Sequence, residues 1–130
     1  MKNNSGKINI LIIDDEEDIR NFVSRLLQME GYKVQAVESG ELGLSAIKSR
    51  KFSLVILDLK LPGIDGWAVI KEVKKDSSLL SLPILLFTAS VSELERNKTH
   101  EYENVGFLPK PVNVLKLKKM VKRALSPNRR

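Results

Sequence analysis

Three aspartates and one lysine stand just beyond apolar runs of strand length. Ile10-Leu11-Ile12-Ile13 delivers Asp14 and Asp15, Leu54-Val55-Ile56-Leu57 delivers Asp58, and Phe107-Leu108-Pro109 leads into Lys110. A carboxylate is a weak nucleophile, but it can attack phosphorus to form an acyl phosphate. That chemistry needs a carboxylate exposed at a strand end, a divalent cation beside it, and donors for the phosphoryl oxygens. Mg2+ takes oxygen ligands in octahedral geometry, commonly one or two carboxylates and several waters. Asp15 and Asp58 can supply the carboxylates, Asp14 can hold a metal-bound water, and the backbone carbonyl of Lys60 can fill a further position. Lys110 can pair with Asp58 at rest and with a phosphoryl oxygen afterward. Thr88, just past Ile84–Phe87, offers a hydroxyl to another oxygen.

Taken singly, each residue has a plainer reading. Asp14-Asp15 can cap a helix, Asp58 can cap a turn with Pro62-Gly63, Thr88 can be a strand residue chosen for shape, and Lys110 can be a surface lysine. Their joint occurrence at the ends of strand-like runs is what favours the chemical reading.

The elements that would position these groups alternate along the chain. Strands are expected at Ile8–Ile13, Lys33–Val37, Leu54–Leu57, Ile84–Phe87 and Val105–Leu108. Between them, helices are expected at Asp18–Glu30, from the Ser39 cap to about Ser49, and at Trp67–Lys75. A last helix, Val114–Leu125, is capped by Asn113 and stopped by Pro127. Ile19, Phe22, Val23, Leu26 and Leu27 form the first helix's stripe, and Leu42, Leu44, Ala46 and Ile47 face partly inward from the second. The fourth helix, within Ser90–Asn104, has few apolar anchors: Val91, Leu94, Tyr102 and Ala89. It is expected to be short, mobile or displaced. This order predicts an α/β fold with a parallel sheet covered on both faces. Ligands in such sheets bind at the carboxyl ends of the strands, at the topological switch point.

Composition narrows the function. The chain has 130 residues, one domain's worth, with a core expected at about 7–125. No apolar run approaches the ~20 residues of a membrane span, and Met1–Lys7 lacks an apolar signal region. With no cysteine, disulfides and thiolate metal sites are excluded. One histidine, His100, cannot build a multi-histidine metal site. The net charge is +6, and Asn104–Arg130 carries eight basic residues and no acidic ones. That segment can meet an acidic partner or nucleic acid, although a solvated helix face is the commoner origin of such a run.

The acidic pair Asp14-Asp15, the segment from Asp58 through Pro62-Gly63 to Asp65-Gly66, Thr88-Ala89 and Lys110-Pro111 resemble the receiver domains of two-component response regulators. The resemblance covers about Lys7 to Leu125. It implies a CheY-like, flavodoxin-like (βα)5 three-layer sandwich with a five-stranded parallel sheet of order 2-1-3-4-5. It further implies that Asp58 is phosphorylated by a histidine kinase or a histidine phosphotransfer protein, and that Asp14, Asp15, Asp58 and the Lys60 carbonyl bind Mg2+ or Mn2+. Thr88 and Lys110 would sense the phosphoryl group, Phe107 would be the aromatic switch, and the bond before Pro111 would be cis. The implied protein is cytoplasmic and not an enzyme in the ordinary sense, although it promotes its own phosphorylation and hydrolysis. Its output would pass from the face of helix four, strand five and helix five to a downstream protein, as a monomer or a phosphorylation-dependent dimer. His100 would be a plain surface residue.

Two departures stand out. Thr99–Gly106 lacks the small Gly-Ala pair common in that family, and Phe107 stands where tyrosine is the commoner switch residue; Lys60, two residues past Asp58, would hang over the pocket mouth. Three other readings compete: a receiver-like fold that binds without being phosphorylated, a flavin or nucleotide enzyme, and direct DNA binding through the basic last helix. No glycine-rich phosphate loop follows the first strand, where Asp14-Asp15-Glu16-Glu17-Asp18 would repel phosphates. No recognition-helix motif supports DNA binding.

Overall fold

The computed structural model describes residues 8–89 and 92–126; the side chains of Glu93 and Leu94 lie outside that description, as does Val91. Five strands, β1 (Asn9–Ile13), β2 (Lys33–Val37), β3 (Leu54–Leu57), β4 (Ile84–Thr88) and β5 (Val105–Pro109), form one parallel sheet in the order β2-β1-β3-β4-β5. Five helices alternate with them: α1 (Glu17–Met29), α2 (Gly40–Ser49), α3 (Gly66–Lys74), α4 (Glu93–Lys98) and α5 (Val114–Leu125). This is the flavodoxin-like three-layer sandwich expected from the alternating pattern and the motif resemblance. No helix among the described residues is long and apolar enough to cross a membrane.

The sheet is apolar on both faces because both are covered. Leu11, Ile13, Val55, Leu57, Ile84 and Leu86 pack with Ala46 and Ile47 of α2 and Val69, Ile70 and Val73 of α3. The alternating set Ile10, Ile12, Leu54, Ile56, Leu85, Phe87 and Leu108 packs with Val23 and Leu27 of α1 and Leu117 and Val121 of α5. Each fully buried side chain of this kind contributes about 1.5–3 kcal/mol. The strands are thus locked in register by two cores at once, and their C-terminal ends are held in fixed relation.

Boundaries differ from expectation by a residue or two. Glu17 and Gly66 enter their helices, and Thr88 and Pro109 join their strands. Phe22 and Leu42, expected to face inward, are 44% and 50% exposed. In α1 the buried stripe runs through Val23 and Leu27, so Phe22 falls on its flank. α4 is only six residues long and is followed by a 3-10 turn at Thr99–Glu101. Its start rests on a capping box: the Ser92 hydroxyl accepts from the Glu95 N–H, and the Glu95 carboxylate accepts from the Ser92 N–H.

Candidate functional site

β1 and β3 are neighbours at the point where the strand order reverses, so residues just past their ends share one crevice. The Asp14 N–H donates to the Val37 carbonyl and the Asp58 N–H donates to the Ile13 carbonyl, extending the sheet hydrogen bonding into the site. Asp14, Asp58 and Thr88 are buried polar residues in an otherwise apolar interior. The Asp14 carboxylate also accepts from the Glu16 N–H at 2.9 Å, and its carbonyl accepts from Arg20 at 2.8 Å. The Asp58 carboxylate accepts from the Lys60 N–H at 3.3 Å.

The β3–α3 connection is fixed by Gly66. Its N–H donates to the Leu59 carbonyl. A Cβ at this position would lie 2.6 Å from the Asp58 carbonyl oxygen and 2.8 Å from the Leu59 Cα, so only glycine allows this approach. Gly63, at φ +75°, makes the preceding turn. Asp65 caps α3 by accepting from the Ala68 N–H at 2.9 Å.

Lys110 joins the far strand to the acidic groups. Its Nζ lies 2.9 Å from Asp14 Oδ2, 2.9 Å from Glu16 Oε1 and 3.1 Å from Asp58 Oδ2. It also sits 5.5 Å from the centre of the Phe87 ring. Burial alone would lower the Lys110 pKa, but the hydrogen bonds to Asp14, Glu16 and Asp58 outweigh it and raise the pKa well above the usual lysine range. Burial raises the Asp14 carboxyl above its ordinary value, opposed by the hydrogen bonds from Lys110 and the Glu16 N–H. The Lys110–Pro111 peptide bond is cis.

Carboxylate oxygens of Asp14, Glu16 and Asp58 lie within 4.8 Å of one another. With Lys110 among them, the cluster keeps an excess of two negative charges. Hard oxygen donors in this number, short of positive charge, fit a divalent cation of the Mg2+ type. Asp15 is exposed and lies outside this group of three, which includes Glu16. In the sequence Glu16 counts only as part of the acidic run Asp14–Asp18, because its contact with Lys110 joins positions 94 residues apart. Thr88 ends β4 beside β5, in register with Pro109, and its carbonyl accepts from the Lys110 N–H at 2.8 Å. Lys60 is exposed, as is His100. Phe107, on β5, is half-buried, with the Arg96 guanidinium of α4 4.9 Å above its ring.

Known proteins resemble this chain in sequence and fold. The chain is similar to the chemotaxis protein CheY4 of Vibrio cholerae, with a TM-score of 0.85, 30% identity, and coverage of 91% of this chain and 98% of that one. It is similar to the response regulator TrrA of Thermotoga maritima, solved in complex with Mg2+-BeF, with a TM-score of 0.80, 34% identity, and coverage of 91% and 99%. A probable transcriptional regulator, ycf27 of Porphyridium aerugineum, is 34% identical over 119 residues, 92% of this chain and 48% of that protein. The chain spans from a fifth to about half the length of such curated relatives. The family described as the response regulator receiver domain matches residues 10–122. With the strand order and the acidic pocket already in place, the chain belongs to the receiver domains of two-component systems.

Proposed function

We propose that Asp58 accepts a phosphoryl group from the phosphorylated histidine of a histidine kinase or histidine phosphotransfer protein, in a reaction dependent on Mg2+ or Mn2+. The observation that carries this reading is the Lys110 ammonium, held within 3.1 Å of Asp58 and 2.9 Å of Asp14 at the switch-point edge of the sheet. An Asp58 oxygen attacks phosphorus. The P–N bond to the donor imidazole breaks, its electron pair stays on that nitrogen, and a carboxyl phosphate remains. When bound, the cation supplies positive charge between the carboxylate and the incoming phosphoryl group. Asp58, the Asp14-Asp15 pair and the Lys60 carbonyl would hold it, with Glu16 in reach. The likeness to TrrA, solved with Mg2+ and BeF, supports this assignment.

Lys110 then exchanges its Asp58 partner for a phosphoryl oxygen, and the Thr88 hydroxyl donates to another. As Thr88 moves, Phe107 turns inward and leaves its stacking position under Arg96. That shift favours a second arrangement of the α4–β5–α5 face, which a downstream protein reads. The chain thus catalyses its own modification and its hydrolysis while its output is a protein contact, and the same reading places it in the cytoplasm.

Intact mass after incubation with acetyl phosphate tests this directly. A gain of one phosphoryl group is expected with Mg2+, and none without Mg2+ or in Asp58→Asn. No gain in the parent chain under any metal condition would leave a receiver used only as a binding module.

A further inference from the structure

The end of the sheet opposite the acidic pocket holds a second concavity. It is a groove of about 710 Å³ at the amino ends of β3 and β4. The last turn of α2 with residues 50–53 forms one side, and residues 76–83, between α3 and β4, form the other. Its size falls within the range of about 300–1,000 Å³ usual for small-molecule sites. Ile47 and Leu82 are buried, and Phe52 and Leu79 pack partly buried against the same core, so these four give the groove an apolar floor. Lys74 fixes the second side, its ammonium donating to the Leu80 and Leu82 carbonyls at 3.0 and 3.1 Å.

The rim carries an excess of cations. Lys48, Arg50 and Lys51 line the groove against one carboxylate, Asp76. Among the described residues, none of these three cations joins an ion pair. Glu72, which lies in the field of Lys48, is already paired with Lys75 at 2.9 Å. The Arg50 guanidinium stands 5.4 Å from the centre of the Phe52 ring and donates one hydrogen bond, to Gln35 Oε1 at 3.3 Å. Most of its donors are therefore open to an anion. The Asp76 carboxylate accepts from the N–H and the hydroxyl of Ser78 at 2.9 and 2.7 Å, both on Oδ1, which leaves Oδ2 to accept from a ligand.

We propose that this groove binds a nucleotide, with its phosphate on Lys48, Arg50 and Lys51, its base over Phe52 and Leu82, and a sugar hydroxyl or base amino group donating to Asp76. Charge complementarity selects an anion, and the floor selects one with an apolar body. An inorganic anion would satisfy the cations but leave the floor uncovered and Asp76 without a donor. An acidic peptide would bring further carboxylates against Asp76. A planar ring suits the floor beside Arg50 and Phe52, because guanidinium and aromatic faces both support stacking. The site stands apart from the phosphoryl step, which takes place at the other end of the sheet.

Calorimetric titration of the unphosphorylated chain with AMP, ribose 5-phosphate and adenosine tests the assignment. The buffer holds EDTA, so that no metal draws phosphate to the acidic pocket. AMP should bind at least about tenfold more tightly than either fragment. Lys51→Glu should weaken AMP by about tenfold or more, whereas Lys119→Glu, the same charge reversal at an exposed position of α5, should leave it unchanged. Phe52→Leu should bring AMP down toward the affinity of ribose 5-phosphate. If that variant melts early, the comparison of AMP with ribose 5-phosphate on the parent chain decides the role of the ring. Failure of AMP to bind at millimolar concentration, AMP no tighter than either fragment, or equal losses in Lys51→Glu and Lys119→Glu would overturn the assignment.

Discussion

At Asp14, burial works against ionisation more strongly than Lys110 and the Glu16 N–H work for it. A carboxyl whose pKa is raised by folding holds its proton more tightly in the native state. Stability therefore falls as pH rises from the ordinary value of 3.8 through the native value, and the whole penalty is present at neutral pH. Asp14→Asn has nothing to ionise there. It should raise Tm by a few degrees at pH 7 without metal, as an order of magnitude for a domain of this size. The advantage should shrink as pH falls toward 4, and thermal melts across pH 4–8 would show it. A Tm below the parent's at pH 7 would mean that the Lys110 contact outweighs desolvation. Lys60 poses a separate question at this scale. Its exposed side chain follows Asp58 by two residues, where it can govern the approach of water to the carboxyl phosphate proposed on Asp58. Lys60→Ala should change the phosphoryl half-life severalfold with little effect on Tm; an unchanged half-life would remove Lys60 from the mechanism.

The elements show which parts of the fold were readable from local pattern. β1, β3 and β4 are apolar runs buried on both faces, and a parallel sheet with two covered faces leaves little other use for such runs. Together with β5, these runs place Asp14, Asp58, Thr88 and Lys110 at one edge of a parallel sheet. What local pattern could not supply were contacts made only in three dimensions. Glu16 reaching Lys110 across 94 residues, the groove floored by Phe52 and the 3-10 turn at Ser77–Leu79 leave no periodic trace. α4 was readable as weak because its sequence is polar, but its fastening was not: Arg96 over Phe107 and Lys98 4.8 Å over Trp67 are tertiary contacts. Gly66 is the element-scale residue with the sharpest consequence. Gly66→Ala pushes a methyl group against the backbone of Asp58 and Leu59, so relief must come from moving the loop that carries Asp58, the proposed phosphoacceptor. The expected cost is about 1–3 kcal/mol, read as a lower midpoint in urea, together with slower uptake from acetyl phosphate. Full uptake rate at parent stability would show that α3 can retreat without disturbing Asp58.

Over the whole molecule, charge is distributed against itself. The chain carries a net +6, yet three carboxylates converge around one lysine at the sheet edge. Distant surface cations do little for that cluster, because solvent and salt screen them beyond about 8–10 Å. A divalent cation bound among the carboxylates acts at contact distance and favours the folded state alone, since the unfolded chain separates Asp14 from Asp58 by 43 intervening residues. Stabilisation then follows mass action, reaching about 2.7 kcal/mol at a hundredfold excess over Kd. MgCl2 should therefore raise Tm in a saturable way, whereas NaCl at matched ionic strength should not. Replacing Asp14 and Asp58 together by asparagine should abolish the Mg2+ response while leaving the NaCl response unchanged. The double variant also separates two sources of the effect: a response surviving in it would place the cation elsewhere on the chain. An identical rise with both salts would reduce the effect to general screening of the basic surface.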